Sequence, residues 1–215
     1  IGSNVSFSGS GELDNGWGVA LSIAYTNKAA YSSTNVTVTV PSMGDLIITQ
    51  GGTGTGIDRM DDVTPNVWEE AYASGLSTGI QTVNGASGGA GFEFTPNMLP
   101  DGLTGRIAYT PDISGGSNND KVSSGQSTSQ GSAYDVTLVA TDAITGMSGL
   151  TLGAGYGKTK SVTSANSDLK DETYYATYAV GGFTLGYQIS EADLGTSANE
   201  QKYENDGYGI TFNVN

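Results

Sequence analysis

The chain of 215 residues contains no cysteine and no histidine, and only 8 lysines and arginines against 22 aspartates and glutamates. Each shortage excludes something. Without cysteine there is no disulfide framework and no thiol chemistry. Without histidine the commonest metal ligand and the usual general base at neutral pH are missing, and no nucleophile–base constellation replaces them. An enzyme is therefore not expected. A net charge of -14 repels nucleic acid, whose binding depends on cations set against phosphates. No run approaches the ~20 apolar residues of a membrane helix. Nor is there a signal-peptide pattern: the sequence opens at Ile1, as a mature or partial chain would.

What is present is alternation. In Trp17-Gly-Val-Ala-Leu-Ser-Ile-Ala-Tyr25 every second residue is large and apolar, and those between are small or polar. Such a strand has one greasy face with an aromatic at each end, the pattern of a strand crossing lipid between two aromatic belts. A mean hydropathy of -0.22 is no objection, because only half of each such strand faces lipid.

The pattern recurs and predicts eleven strands: Asn4–Gly11, Gly16–Thr26, Thr34–Val40, Asp45–Gln50, Ala90–Thr95, Leu103–Thr110, Ala133–Ala140, Leu150–Lys158, Thr173–Val180, Phe183–Ser190 and Gly207–Val214. Helical spacing is conceivable only within residues 66–73. Connections alternate short and long, as in outer-membrane barrels with tight periplasmic turns and extended external loops. The long ones are rich in Gly, Ser, Asn and Asp, for example Ser114-Gly-Gly-Ser-Asn-Asn-Asp120. A disordered linker would read similarly there, but the strand pattern resumes beyond it. The fold class expected is all-β, a transmembrane antiparallel β-barrel formed as one domain over residues 1–215. An odd strand count cannot close antiparallel, so either a twelfth strand is hidden or these strands belong to a larger barrel.

Three passages stand out: Asn4 through Tyr25; Met43-Gly-Asp-Leu-Ile-Ile-Thr-Gln-Gly-Gly52 with the acidic loop after it; and Ala90-Gly-Phe-Glu-Phe-Thr-Pro96 followed by Gly102-Leu-Thr-Gly-Arg-Ile-Ala-Tyr-Thr-Pro-Asp112. Together they resemble the general diffusion porins of Gram-negative bacteria, in particular the alphaproteobacterial type. The resemblance implies a water-filled channel in the bacterial outer membrane, passing small hydrophilic solutes and ions without a cofactor, and a homotrimer. It further implies that the third external loop, here Gly51–Gly89, folds inward as a constriction. In that family this loop joins strands five and six, so the eleven strands would be two to twelve of sixteen. Pro65-Asn-Val-Trp-Glu-Glu-Ala-Tyr72 stands where many porins carry Pro-Glu-Phe-Gly-Gly.

The candidate constriction charges are Asp58, Arg59, Asp61, Asp62, Glu69 and Glu70 on the loop, with Glu93, Arg106 and Asp135 on the wall. The wall residues alternate with outward Phe92, Ile107 and Tyr134, so they face the lumen; mid-depth exposure of Arg to lipid would cost roughly 2–4 kcal/mol. Carboxylates at a narrow point concentrate cations, which predicts cation preference. Arg106 either opposes them across the channel or pairs with a neighbouring acid. Asp58, Asp61 and Asp62 invite a calcium reading as well, though without EF-hand spacing. Lys158, Lys160 and Lys170 could meet lipopolysaccharide phosphates or simply solvate a loop. Gly153-Ala-Gly-Tyr-Gly157 is not a nucleotide loop, since no helix follows. The rival reading is a β-barrel or β-rich surface adhesin or anchor whose loops bind partners or calcium.

Overall fold

The computed structural model describes residues 5–25, 31–50, 55–60, 63–64, 90–111, 130–161, 167–193 and 202–212. They form eleven strands: β1 (Val5–Glu12), β2 (Gly18–Tyr25), β3 (Tyr31–Val40), β4 (Gly44–Gln50), β5 (Ala90–Pro96), β6 (Leu103–Thr110), β7 (Gln130–Ala140), β8 (Leu150–Ser161), β9 (Leu169–Val180), β10 (Phe183–Asp193) and β11 (Lys202–Phe212). Every predicted strand is present. All belong to one antiparallel sheet in sequence order, each strand hydrogen-bonded to the next. Among the described residues the sheet is unclosed: β1 and β11 each pair on one side only. Residues 66–73, where helical spacing was conceivable, lie outside the described residues. The one α-helix among the described residues is a single turn, α1 (Asp142–Thr145), between β7 and β8.

The short connections are built as their sequences suggest. Gly16 takes a left-handed φ of 79°, and the Leu13 N–H donates to the Trp17 carbonyl at 2.8 Å, closing the turn before β2. Trp17 itself sits in that turn and not in the strand. The Gly181-Gly182 pair, with φ of 61° at Gly181, makes the two-residue link from β9 to β10, a geometry that favours glycine.

Register and burial assign the two faces. Phe92 pairs with Tyr109, Tyr109 with Tyr134, and Tyr187 with Tyr208, so large side chains stack on one face from strand to strand. That face is the exposed one: Tyr208 is 84% accessible, and Ile107, Val136, Leu138, Leu185 and Ile210 are all exposed. The opposite face carries Glu93, Asp135, Thr137, Thr173, Gln188 and Ser190, all buried. A water-soluble sheet would bury the first set and solvate the second. Inversion of that rule is the signature of strands whose outer face meets lipid. Aromatic contacts mark the rims, with Phe183 and Phe212 stacked at 4.4 Å and Phe7 and Tyr25 edge-on at 6.3 Å.

Several strands run three or more residues further than the alternation suggested, in each case on the side of the long connections. β9 begins at Leu169 rather than Thr173, β10 continues to Asp193, and β11 begins at Lys202. These extensions carry Lys170, Glu172, Glu191, Asp193 and Glu204 on the outward face. Above the hydrocarbon the ladder continues, but the outward residues no longer need to be apolar.

Candidate functional site

Between β4 and β5 the chain turns inward. Thr55–Met60, with Val63 and Thr64, are the described part of segment 51–89, and residues Gly56–Met60 form a 3₁₀ turn. This turn lies on the inner face of the sheet, against β6, β7 and β8. Its position follows from three sets of contacts.

The first is electrostatic. A helical turn leaves its first N–H groups without partners. Here the Gly56 N–H donates to Glu93 Oε2 at 2.6 Å and the Ile57 N–H to Asp135 Oδ2 at 3.2 Å. Arg59 folds back over the same carboxylate: its Nη2 donates to Glu93 Oε1 at 2.7 Å, and its Nε lies 3.1 and 3.0 Å from the two oxygens. Glu93 is 1% exposed, so Arg59 and an oriented amide together balance a charge that would otherwise be stranded.

The second set is apolar. Ile57 is fully buried and Met60 2% exposed, and they rest over Gly155 and Gly157 of β8. Gly56, at φ 57°, passes so close to Asp135 and Ala108 that any side chain there would collide with both. The third set reaches β10. The Gln188 side-chain amide donates to the Met60 carbonyl and, at 2.9 Å, to Thr173 Oγ1, which lies 3.0 Å from Ser190 Oγ. Thr64 sits over Gly207 of β11.

The structure thus brings together Arg59, Glu93 and Asp135, with Asp58 half-buried in the same turn. Arg106 stands apart from them. It faces inward on β6 and makes no ion pair among the described residues. Tyr175 of β9 lies with its ring against Gly153 of β8. Asp61, Asp62, Glu69 and Glu70 lie outside the described residues. So two of the three carboxylates of the calcium reading are not described, and no cluster of three metal-ligating side chains occurs among the described residues. Of the rim lysines, Lys158 is bound to Asp168 at 2.9 Å, while Lys160 and Lys170 are exposed.

Sequence reasoning missed Ile57, Met60, Gln188 and the glycines beneath them. A faint signal existed: Gly153, Gly155 and Gly157 occupy consecutive inward positions of one strand, a stripe with no side chains where something must lie close.

An inward-turned segment seated on the polar face of a lipid-facing sheet is the arrangement expected of a barrel with an internal constriction. The family model for Gram-negative porins matches residues 2–215. The chain belongs to the Gram-negative porin family. Its place is therefore the bacterial outer membrane. Among solved structures the porin is similar to engineered variants of Rhodopseudomonas blastica porin. One is 12% identical with a TM-score of 0.47, covering 98% of this chain and 80% of that one. A triple mutant is 13% identical with a TM-score of 0.41, covering 98% of this chain and 89% of that one. No curated protein matches the sequence. The family match, and not these low-scoring likenesses, carries the assignment.

Proposed function

We propose that this porin forms a water-filled channel for passive diffusion of small hydrophilic solutes and ions, narrowed by segment 51–89 and preferring cations. The observation that supports it best is the seating of Gly56–Met60 on the inner face through Glu93, Asp135 and Gln188. A segment fixed there occupies cross-section that would otherwise conduct, so it sets both the width and the field of the passage. The preference for cations rests on the net charge of -14; the pairing of Arg59 with Glu93 cancels one charge of each sign and leaves that balance unchanged. Asp58, Asp61, Asp62, Glu69 and Glu70 then act on passing ions, with Arg106 as the opposing wall charge.

The two unpaired sheet edges point to closure by further strands, in keeping with a sixteen-stranded barrel, because backbone donors cannot stay unsatisfied in hydrocarbon. Association as a homotrimer and contact of the outer rim with lipopolysaccharide belong to the same reading. Single-channel recording in planar bilayers under a potassium chloride gradient tests it. Discrete open steps are expected, with a reversal potential of the cation-selective sign that moves toward zero when Asp58, Asp61 and Asp62 become Asn. Folded protein that inserts without conducting would refute the channel; an unmoved reversal potential would place those acids outside the narrow point.

A further inference from the structure

The depth at which the inward turn lies is fixed by its contacts with the wall. Its leading amides are bound to Glu93 and Asp135 on one side, and its last carbonyl is bound by Gln188 on the other. It cannot slide along the sheet without breaking one of these. Rising off the wall, toward the channel axis, strains the same bonds and is the displacement that bulk added beneath the turn would force. What lies beneath it on β8 is backbone alone. A Cβ on Gly155 would stand 2.8 Å from Ile57 Cγ1, 3.1 Å from Met60 Sδ and 3.2 Å from Ile57 Cδ1. One on Gly157 would stand 3.4 Å from both Ile57 Cγ2 and Asp135 Oδ1, an ordinary contact. Gly155 is thus the position at which the turn has no clearance. Ile57, at 0% exposure, has no free side to rotate into, so added bulk must displace the turn.

We propose that Gly155 is a specificity-determining position of this porin: the absence of a side chain there sets how far the constricting turn projects into the lumen, and hence the largest solute that passes. The proposal rests on the channel reading above. It makes the exclusion limit a property of β8, a strand that offers solutes no side chain at this point, as well as of the loop that does the narrowing. The coupling partner is Ile57. A larger residue at 155 lifts the turn, and truncation of Ile57 makes room for it.

The test is conductance and sieving of the intact protein. Gly155→Val should lower single-channel conductance roughly 1.5- to 2-fold, because conduction follows the open cross-section at the narrowest point. It should also slow entry of larger neutral sugars into proteoliposomes more than that of smaller ones. Adding Ile57→Ala should restore both. A general loss of structure would not show that restoration, and correct assembly is read separately from heat-modifiable electrophoretic mobility. If Gly155→Val does not assemble, Gly155→Ala applies the same push with one methyl group. Conductance that is unchanged, that rises, or that stays low in the double variant overturns the proposal while the channel itself stands. A wild-type protein that does not conduct overturns the channel reading, and this proposal with it.

Discussion

Glu93→Gln is the sharpest probe of how the inward turn is held. The substitution keeps the shape and removes the charge. In the wild type the two Glu93 oxygens accept from the Gly56 N–H at 2.6 Å and from Arg59 at 2.7–3.1 Å. A glutamine has one acceptor oxygen, and its NH2 group must face either the Gly56 amide or the guanidinium, donor against donor. The buried, charge-assisted bond to Gly56 is worth about 1.5–3 kcal/mol. The Arg59 contribution is smaller, about 1 kcal/mol, because that side chain is 38% exposed and screened by water. Together the seated turn should lose roughly 2.5–4 kcal/mol, which raises its unseated population about 70- to 900-fold. Two assays read this: amide exchange across Gly56–Met60, and brief current transitions in single-channel records. Exchange should accelerate there and not in the strands. If exchange and current noise both match wild type, the Glu93 carboxylate does not hold the turn and the anchoring argument fails.

The other expectations are compact. Gly149 has φ 80° with its Cβ direction aimed at the Ala179 backbone, whereas Gly16, at φ 79°, faces open space. Gly149→Ala should therefore cost well over the ~1 kcal/mol of a bare left-handed alanine expected for Gly16→Ala, read as the difference in urea midpoints of the refolded protein. At the rim, the Asp168 carboxyl is held below its usual range chiefly by the hydrogen bond from Lys158 and next by the Ser161 N–H. A carboxyl lowered on folding lends stability above its unfolded pKa and loses it as pH falls through the folded value. Exchange at Ser161 should then exceed that of a deprotonated reference increasingly below the ordinary carboxylate range, and Asp168→Asn should abolish this pH dependence. Arg106→Gln should shift the reversal potential further toward cation selectivity, since Arg106 has no ion-pair partner among the described residues; an unchanged potential would place it away from the ion path.

The strands were legible because lipid demands a strict outward alternation, and Val136, Leu138, Leu185 and Tyr208 meet it. Their upper ends were not. Lys170, Glu172, Glu191 and Glu204 continue the ladder where water replaces lipid, so polarity there signals a loop while the backbone stays paired. The same division runs through the site. Parity alone turned Glu93, Arg106 and Asp135 inward. What they meet could not be read, because Gly56 and Glu93 are 37 residues apart, Ile57 and Asp135 78, and Met60 and Gln188 128. No periodicity links a loop to the wall on which it lands. Ile57 and Met60 are single apolar residues in a polar segment, and their burial became evident only with Gly155 beneath them.

Charges that hold a loop and charges that steer an ion make opposite demands. A steering charge must remain accessible to what passes, and its influence grows as its neighbours leave it unbalanced. An anchoring charge must be buried and balanced, because an uncompensated carboxylate inside a protein costs several kcal/mol. Glu93 meets the second demand: 1% exposed, it is engaged by a guanidinium and a backbone amide. Asp135, equally buried, accepts from the Ile57 amide. Arg106 meets the first, facing inward without an ion pair among the described residues. On the proposed function, seating the turn and selecting ions fall to different side chains of neighbouring strands. It follows that Glu93→Gln should act first on the steadiness of the current and Arg106→Gln on its ionic preference. Were the two variants to show the same phenotype, one field would be serving both purposes and this division would be wrong.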